Sequence, residues 1–312
     1  MKLSIIVPVH NAERTLEKCV YSILSQNLKE TEILLIENNS KDGSYSLCQK
    51  LAQENESILC IKSLAQGVSA ARNLGLKSAT GDIIGFCDAD DEFVPEALQP
   101  VLDKFQENPA VSVVVGGYYR VSNDNMTYMG FNKDSVCSFN KIINRSIYDS
   151  RIMGSVWNKF FKRDLLKDIW FNETLSYCED THFLISVLSN SQNNSAYILS
   201  KPIYKYINNA ESVTRNLSNL FDNKGRLKYI NSLTDVLSFP NLKIYTRCLI
   251  KRQILLLSIV WYNSAPTAKE RDLLRKNILK FFINYILMFY INPIQVPRSI
   301  ISSLVKKFRK FV

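Results

Sequence analysis

The chain has 312 residues, 46% of them hydrophobic and 22% charged, a balance that excludes a disordered or collagen-like polymer and allows a catalytic domain with an appendage. Its seven cysteines are scattered, odd in number and never in CxxC spacing, which argues against a zinc cluster or disulfide framework and for reduced thiols. Net charge is +10, yet residues beyond 240 hold fourteen Lys and Arg against two acids, leaving 25 basic and 27 acidic residues before them, so the basicity belongs to the C-terminal end.

An apolar run opens the chain. Ser4 and Pro8 interrupt it and His10-Asn11 end it, so it reads as a first strand over Ser4–Val9 and is too short for a signal peptide. Helical spacing follows over Glu13–Leu28 (Leu16, Val20, Ile23, Leu24), then a β-branched run at Glu32–Ile36. A helix over Gly43–Gln53, a strand at Ser57–Ile61, a helix over Gly67–Ser78 and a strand at Asp82–Cys87 continue the alternation. The pattern predicts right-handed crossovers and an α/β fold: a mostly parallel, Rossmann-like sheet with helices on both faces.

A further helix runs from Pro95 to about Asn108, and a strand at Val111–Val115 leads into Gly116-Gly117. Residues 118–145 read as strands or a hairpin, and 146–215 as mixed short elements around Trp157, Glu179-Asp180 and Tyr204. From about Leu217 the pattern is helical, which places a domain boundary near 216 and divides the chain into 1–216 and 217–312. No stretch reaches the roughly 18 apolar residues that a spanning helix needs.

Parallel sheets bind ligands at the carboxyl ends of their strands. That rule singles out His10-Asn11, Glu37-Asn38-Asn39 and Asp88-Ala89-Asp90-Asp91. Three carboxylates within four residues repel one another unless a hard divalent cation and its phosphate ligands complete them. Taken alone, the cluster equally suits the first turn of a helix, since Pro95-Glu96 follows. No GxGxxG stands after the first strand, which argues against a dinucleotide-binding dehydrogenase.

The segments Ser4-Ile-Ile-Val-Pro-Val-His-Asn11, Ser40-Lys-Asp-Gly-Ser44, Gly67-Val-Ser-Ala-Ala-Arg-Asn-Leu-Gly75 and Ala79-Thr-Gly-Asp-Ile-Ile-Gly-Phe-Cys-Asp-Ala-Asp-Asp91 occur in the order and spacing of a known family. Together they resemble the nucleotide-binding half of family 2 glycosyltransferases, densely over residues 3–108 and again at Trp157-Asn158-Lys159 and Glu179-Asp180. The resemblance implies a GT-A fold with a donor half over 1–108 and an acceptor half over 109–216. It also implies a nucleoside-diphosphate sugar donor, a divalent cation (Mn²⁺ or Mg²⁺) and inversion at the anomeric carbon.

By position, Pro8, His10, Asn11, Glu37, Asn38, Arg72, Asp88, Ala89 and Asp90 would line the nucleotide-sugar site. His10 would lie under the base, Asp90 would touch ribose and cation, and Asp91 would be the chief cation ligand. Where the family usually reads Val-Asp-Asp-Gly-Ser, this chain has Ile36-Glu37-Asn38-Asn39-Ser40, so an amide stands where an acid ordinarily meets uracil. An amide can both donate and accept, so UDP remains the first expectation.

Direct displacement needs a base for the acceptor hydroxyl. Asp180 has the family's position for it, with Glu179 on the acceptor side; as bare residues the pair also reads as a helix cap. Trp157 reads as an acceptor-side platform or as core, and the lone His182 as packing.

At the end of the chain, Ile300, Ile301, Leu304, Val305, Phe308 and Phe311 share one helical face while Arg298, Lys306, Lys307, Arg309 and Lys310 occupy the other. That is the pattern of a helix lying on an anionic membrane surface, or of a helical subdomain with a solvated basic face. Nucleic acid is excluded as a partner because the basic residues accompany large apolar faces and no binding module. The expected acceptor is a lipid-linked glycan of capsule, O-antigen or lipooligosaccharide assembly, with the enzyme cytoplasmic and peripheral on the inner membrane face. The alternative is a non-catalytic, membrane-associated relative that serves as a scaffold.

Overall fold

A computed structural model of the chain describes residues 1–122, 125–175, 177–191, 194–208, 223–262, 265 and 267–291, with 223–228, 260 and 283–291 as backbone alone. The chain divides into two compact units, Met1–Asn216 and Leu217–Val312.

The first unit begins with the predicted alternation: β1 (Leu3–Val9), α1 (Leu16–Leu24), β2 (Thr31–Glu37), α2 (Ser44–Glu54), β3 (Ile58–Lys62), α3 (Val68–Ser78) and β4 (Ile83–Phe86). Then come β5 (Glu92–Phe93), α4 (Leu98–Glu107), β6 (Val111–Ser122), β7 (Asn125–Met129), β8 (Ser135–Ser138), α5 (Phe139–Tyr148), β9 (Lys159–Lys162), α6 (Glu179–Ser189) and β10 (Ser195–Ile207). One sheet runs β3-β2-β1-β4-β9-β6-β10-β5, with β7 on β6 and β8 on β10. Strands β3 to β4 are parallel, and β9 enters antiparallel between β4 and β6. Strands β6 and β10 are parallel to each other.

Strands β1, β2, β4 and the first part of β6 are mostly apolar and buried because both sheet faces are covered there, whereas β7 is largely exposed. Successive side chains alternate between the two faces. Phe160 packs on Phe93 on one face, while Phe161 joins Phe86 and Phe183 on the other. Gly75 brings α3 hard against β1, since a Cβ there would stand 2.4 Å from Ile6. That close approach carries Arg72 beneath the ends of the strands.

Strand β6 passes straight through Gly116-Gly117, where the sequence suggests an ending. A Cβ at Gly116 would meet Ile203 of β10 at 2.4 Å, and one at Gly117 would meet the Tyr128 ring at 2.7 Å. The glycines make room for neighbours rather than a turn. Strand β1 outlasts its pairing with β4, which stops at Ile6 and Phe86. Pro8 therefore needs no partner on that side, and the diverging strand ends open a crevice at the point where sheet order reverses.

In the second unit α7 (Asn223–Val236), α8 (Ile244–Tyr262) and α9 (Ala268–Ile291) pack through Leu233, Val236, Ile250, Ile254, Ile278 and Phe281. Arg247 secures the turn between α7 and α8 by donating to the carbonyls of Leu237, Phe239 and Leu242. Among the described residues no helix is long and apolar enough to cross a membrane. The amphipathic stretch expected at 297–311 lies outside the described residues.

Candidate active site

At the end of β1, His10 is exposed and its Nδ1 donates to the carbonyl of Asn38, 2.7 Å away. Asn11 Nδ2 lies 3.1 Å from the other ring nitrogen, so Nδ1 is the donor and Nε2 the acceptor. Asn11, with φ +51°, also ties this loop to the next by accepting from Lys41 N–H. At the end of β2 the Glu37 carboxylate is buried and accepts Ser40 N–H at 2.6 Å, so it shapes the loop.

Asn38 is 5% exposed, and both ends of its amide are engaged. Nδ2 donates to Ala65 O at 2.7 Å, and Oδ1 accepts Gly67 N–H at 2.9 Å. The position expected to read a base thus clasps the loop before α3. Pro8, His10, Asn11, Glu37 and Asn38 do gather at the crevice, with only His10 and Asn11 well exposed.

The acidic loop after β4 is built around Tyr204 of β10, whose hydroxyl accepts Asp88 N–H at 3.0 Å. Asp88 and Asp90 are half-buried and Ala89 is buried. Asp91 is 1% exposed; its Oδ1 accepts Ile207 N–H at 2.7 Å, and its Oδ2 is buried with no hydrogen-bond partner among the described residues. Burial, with Asp88 and Asp90 adding their charges, pushes the Asp91 carboxyl well above the usual range. The chief cation ligand expected from the motif is therefore the most enclosed carboxylate of the loop.

Among the described residues no three His, Cys, Asp or Glu side chains are spaced to enclose a metal. Two carboxylates with one orphan oxygen nevertheless fit a hard cation that keeps most of its shell for phosphate and water.

On the acceptor half, Cys178 takes a left-handed backbone conformation (φ +58°) and starts α6, placing Glu179 and Asp180 in its first turn. Asp180 Oδ1 accepts from Arg72 Nη1 at 2.8 Å, and Oδ2 accepts Val156 N–H at 3.3 Å. Burial raises the Asp180 carboxyl to about 7; Arg72 opposes this, while Glu179 and Asp88 add to it. Arg72 itself is 3% exposed and also reaches Glu179 at 3.3 Å and Asp88 at 2.9 Å. The residue expected to contact the nucleotide is thus held on three carboxylates.

Trp157 is 5% exposed, stacked on Tyr204 and Tyr206 at 17° and meeting Tyr118 edge-on. Of its two readings the structure has the packed one: the ring braces the tyrosine beneath Asp88 and offers no open face to a sugar. His182 is buried, in keeping with packing.

Three supports of the site were not legible as such in the sequence. Tyr204 is one. Lys159 is another: it is fully buried, and Nζ donates to Ile152 O, Ser155 O and Asn158 Oδ1 at 2.6, 2.6 and 2.8 Å. Burial pushes it down to about 7, yet three acceptors engage three N–H bonds, which only the ammonium has. Gly154 is the third, because a Cβ there would stand 1.7 Å from Thr181 Oγ1 of α6. Of these, only Lys159 carries a sequence signal, as part of the Trp157-Asn158-Lys159 segment.

Comparison with known proteins gives the family and the fold. The model of "Glycosyl transferase family 2" matches residues 4–170. The chain is 29% identical over 222 residues to the uncharacterized glycosyltransferase EpsJ of Bacillus subtilis, covering 68% of this chain and 62% of that one. Over 178 residues it is 32% identical to the GalNAc(5)-diNAcBac-PP-undecaprenol beta-1,3-glucosyltransferase of Campylobacter jejuni, covering 55% of each. It thus spans less than two thirds of the length of either relative. In three dimensions it resembles residues 1–349 of S. aureus TarS in complex with UDP-GlcNAc, with a TM-score of 0.71 at 19% identity over 91% of this chain and 81% of that one, which shows a shared GT-A fold. With more than half of its length matched by the family model, the chain belongs to glycosyl transferase family 2.

Proposed function

We propose that this chain is an inverting, metal-dependent transferase that moves a hexosyl or N-acetylhexosaminyl group from a UDP-sugar to an acceptor hydroxyl. The observation that carries the reading is the convergence of Asp88, from the donor-side loop, and Asp180, from the first turn of α6, on one buried guanidinium. In the proposed reaction the acceptor oxygen attacks the anomeric carbon as the bond to the diphosphate breaks on the opposite face, which inverts the centre. Asp180 takes the hydroxyl proton, and Glu179 stands beside it toward the acceptor. Asp90 and the orphan oxygen of Asp91 would hold Mn²⁺ or Mg²⁺, which neutralises charge building on the leaving diphosphate. His10, exposed at the end of β1, would lie under the base.

The proposed acceptor is a lipid-linked glycan of a surface polysaccharide. Its support lies in the relatives: one is named for an undecaprenyl-diphosphate-linked acceptor, and another, 28% identical over 236 residues, is the minor teichoic acid biosynthesis protein GgaA of Bacillus subtilis. The basic residues of 217–312 fit a site at the inner membrane face. A melting-temperature titration with UDP, GDP, CDP and CMP, each with Mn²⁺ and with EDTA, tests the reading. Stabilisation by UDP that needs the metal is the expected result. Indifference of the folded protein to every nucleotide would turn the assignment toward a non-catalytic relative.

A further inference from the structure

Arg72 reaches both the donor-side loop and the first turn of α6. Gly75 presses α3 onto Ile6, so the guanidinium enters the site from below and not from solvent. Nη2 is engaged by Asp88 at 2.9 Å, and Nη1 by Asp180 at 2.8 Å and Glu179 at 3.3 Å. The Phe171 ring lies 5.5 Å from Cζ, and buried Nε has no hydrogen-bond partner among the described residues. A guanidinium is planar, and its nitrogens keep fixed relative positions. It cannot move toward one carboxylate without changing its hold on the others. One positive charge is shared among three acids, so the loss or neutralisation of one acid redistributes it to the rest.

We propose that Arg72 is a positioning residue that couples the two halves of the site: its grip on Asp88 and its grip on Asp180 are alternatives for the same charge, so occupancy of the donor side sets how Asp180 is held. A nucleoside diphosphate arriving with its cation takes up Asp88, loosens Nη2 and leaves the guanidinium to Asp180, which is kept ionised and oriented with Oδ2 toward the acceptor. By reciprocity, removing the charge of Asp180 changes donor affinity although Asp180 does not touch the nucleotide. The inference rests on the donor and base roles proposed above.

The test is a binding cycle with UDP and Mn²⁺, measured by calorimetry on the full chain and on Asp180→Asn, Arg72→Lys, Arg72→Met and the two double variants. In the native background Asp180→Asn leaves the guanidinium to Asp88, for which the donor must then compete, and weakens UDP by about three- to tenfold, a coupling of ordinary size. In either Arg72 background the same substitution shifts affinity by less than about twofold, because a lysine is a point charge and cannot bridge both acids. Arg72→Lys keeps the charge and the fold, so loss of coupling in that variant separates positioning from mere structural support. An equal shift in all three backgrounds overturns the proposal. If the native chain binds no UDP, the donor reading fails instead, and the cycle is then read in the melting temperatures of the ligand-free proteins. There, strongly non-additive effects of Arg72→Lys and Asp180→Asn support the shared charge, and additive ones overturn it.

Discussion

Arg72 Nη1 stands 2.8 Å from Asp180 Oδ1, although 108 residues separate them in the chain. The pairing resolves a conflict built into the site. A proton acceptor must be enclosed to act on a bound hydroxyl, but enclosure favours its protonated form. Arg72 supplies the counter-charge from the donor half. Without it, the carboxylates of Asp88, Glu179 and Asp180 would stand together without the one guanidinium that reaches all three.

Asp180 is raised to about 7, so its base function should appear as a limb of activity rising through that pH. The stability effect has the opposite sign. A carboxyl that holds its proton more tightly folded than unfolded favours the fold at low pH, and the advantage fades as pH rises from its unfolded value near 4 to about 7. Asp180→Asn should remove transfer by about 10²- to 10⁴-fold while UDP still binds. Arg72→Met should move the limb to higher pH. Transfer rates and melting temperatures between pH 5 and 9 check both, and normal turnover by Asp180→Asn would end the base assignment.

Asn38 offers a second test, because its amide fits its surroundings in one orientation only. In Asn38→Asp one oxygen could still accept Gly67 N–H, but the other would face Ala65 O across the present 2.7 Å contact. Two acceptors at that distance repel, and the loop before α3 must open. The variant should lose about 1–3 kcal/mol of stability and bind UDP more weakly, although it restores the acid usual in the family. Urea unfolding with a UDP titration checks this; a stable variant with tighter UDP binding would return the position to base recognition.

What was legible in the sequence follows the range of the signal. The alternation from Leu3 to Phe86 repeats at short distance, and the acids after β4 stand together in the chain, so the fold and the donor-side loop could be read directly. The partners of those acids could not. Arg72 to Asp180, and Tyr204 to Asp88, are contacts of 108 and 116 residues that exist only once the strands are ordered. The role of Gly116-Gly117 was hidden for the same reason: the glycines admit Ile203 and Tyr128, neither of which is in view from the chain. Trp157 was ambiguous because its environment comes from β6 and β10, not from its neighbours in the chain.

Tyr204 is buried, and its hydroxyl satisfies Asp88 N–H. Tyr204→Phe should leave that donor without its partner and cost about 1–3 kcal/mol. The larger effect should fall on the metal-dependent part of UDP binding, because the loop that carries Asp88 and Asp90 loses its anchor. Trp157→Ala, which removes the ring stacked on Tyr204, should cost about 3–5 kcal/mol and weaken metal-dependent binding in the same direction. Denaturation midpoints and UDP titrations with Mn²⁺ and with EDTA separate the two effects; a Tyr204→Phe protein with unaltered metal dependence would free Tyr204 from this role.

Membrane attachment through the C-terminal end is tested by deletion. Arg298, Lys306, Lys307, Arg309 and Lys310 would each contribute about 1 kcal/mol near an anionic surface. The full chain should therefore sediment with phosphatidylglycerol-rich vesicles at low salt and less so at high salt, while a chain ending at 296 should stay in solution. Sedimentation of the shortened chain would move the contact to another surface.

Lys159 acts through the loop it holds, and its loss should be felt at Asp180. Its three N–H bonds hold Ile152, Ser155 and Asn158, and the loop they fix presents Val156 N–H to Asp180 Oδ2. Lys159→Met keeps the length and bulk of the side chain but removes the donor from the Ile152 and Ser155 carbonyls and leaves Asn158 Oδ1 the longer bond from Ser155 Oγ at 3.4 Å. Stability should fall by about 2–4 kcal/mol, and turnover should fall further than UDP affinity, because the loop supports the base and not the nucleotide. Unfolding curves and a comparison of kcat with UDP binding decide the matter. Equal losses in both would make Lys159 a support of the whole domain, whereas loss confined to kcat would place it beneath Asp180.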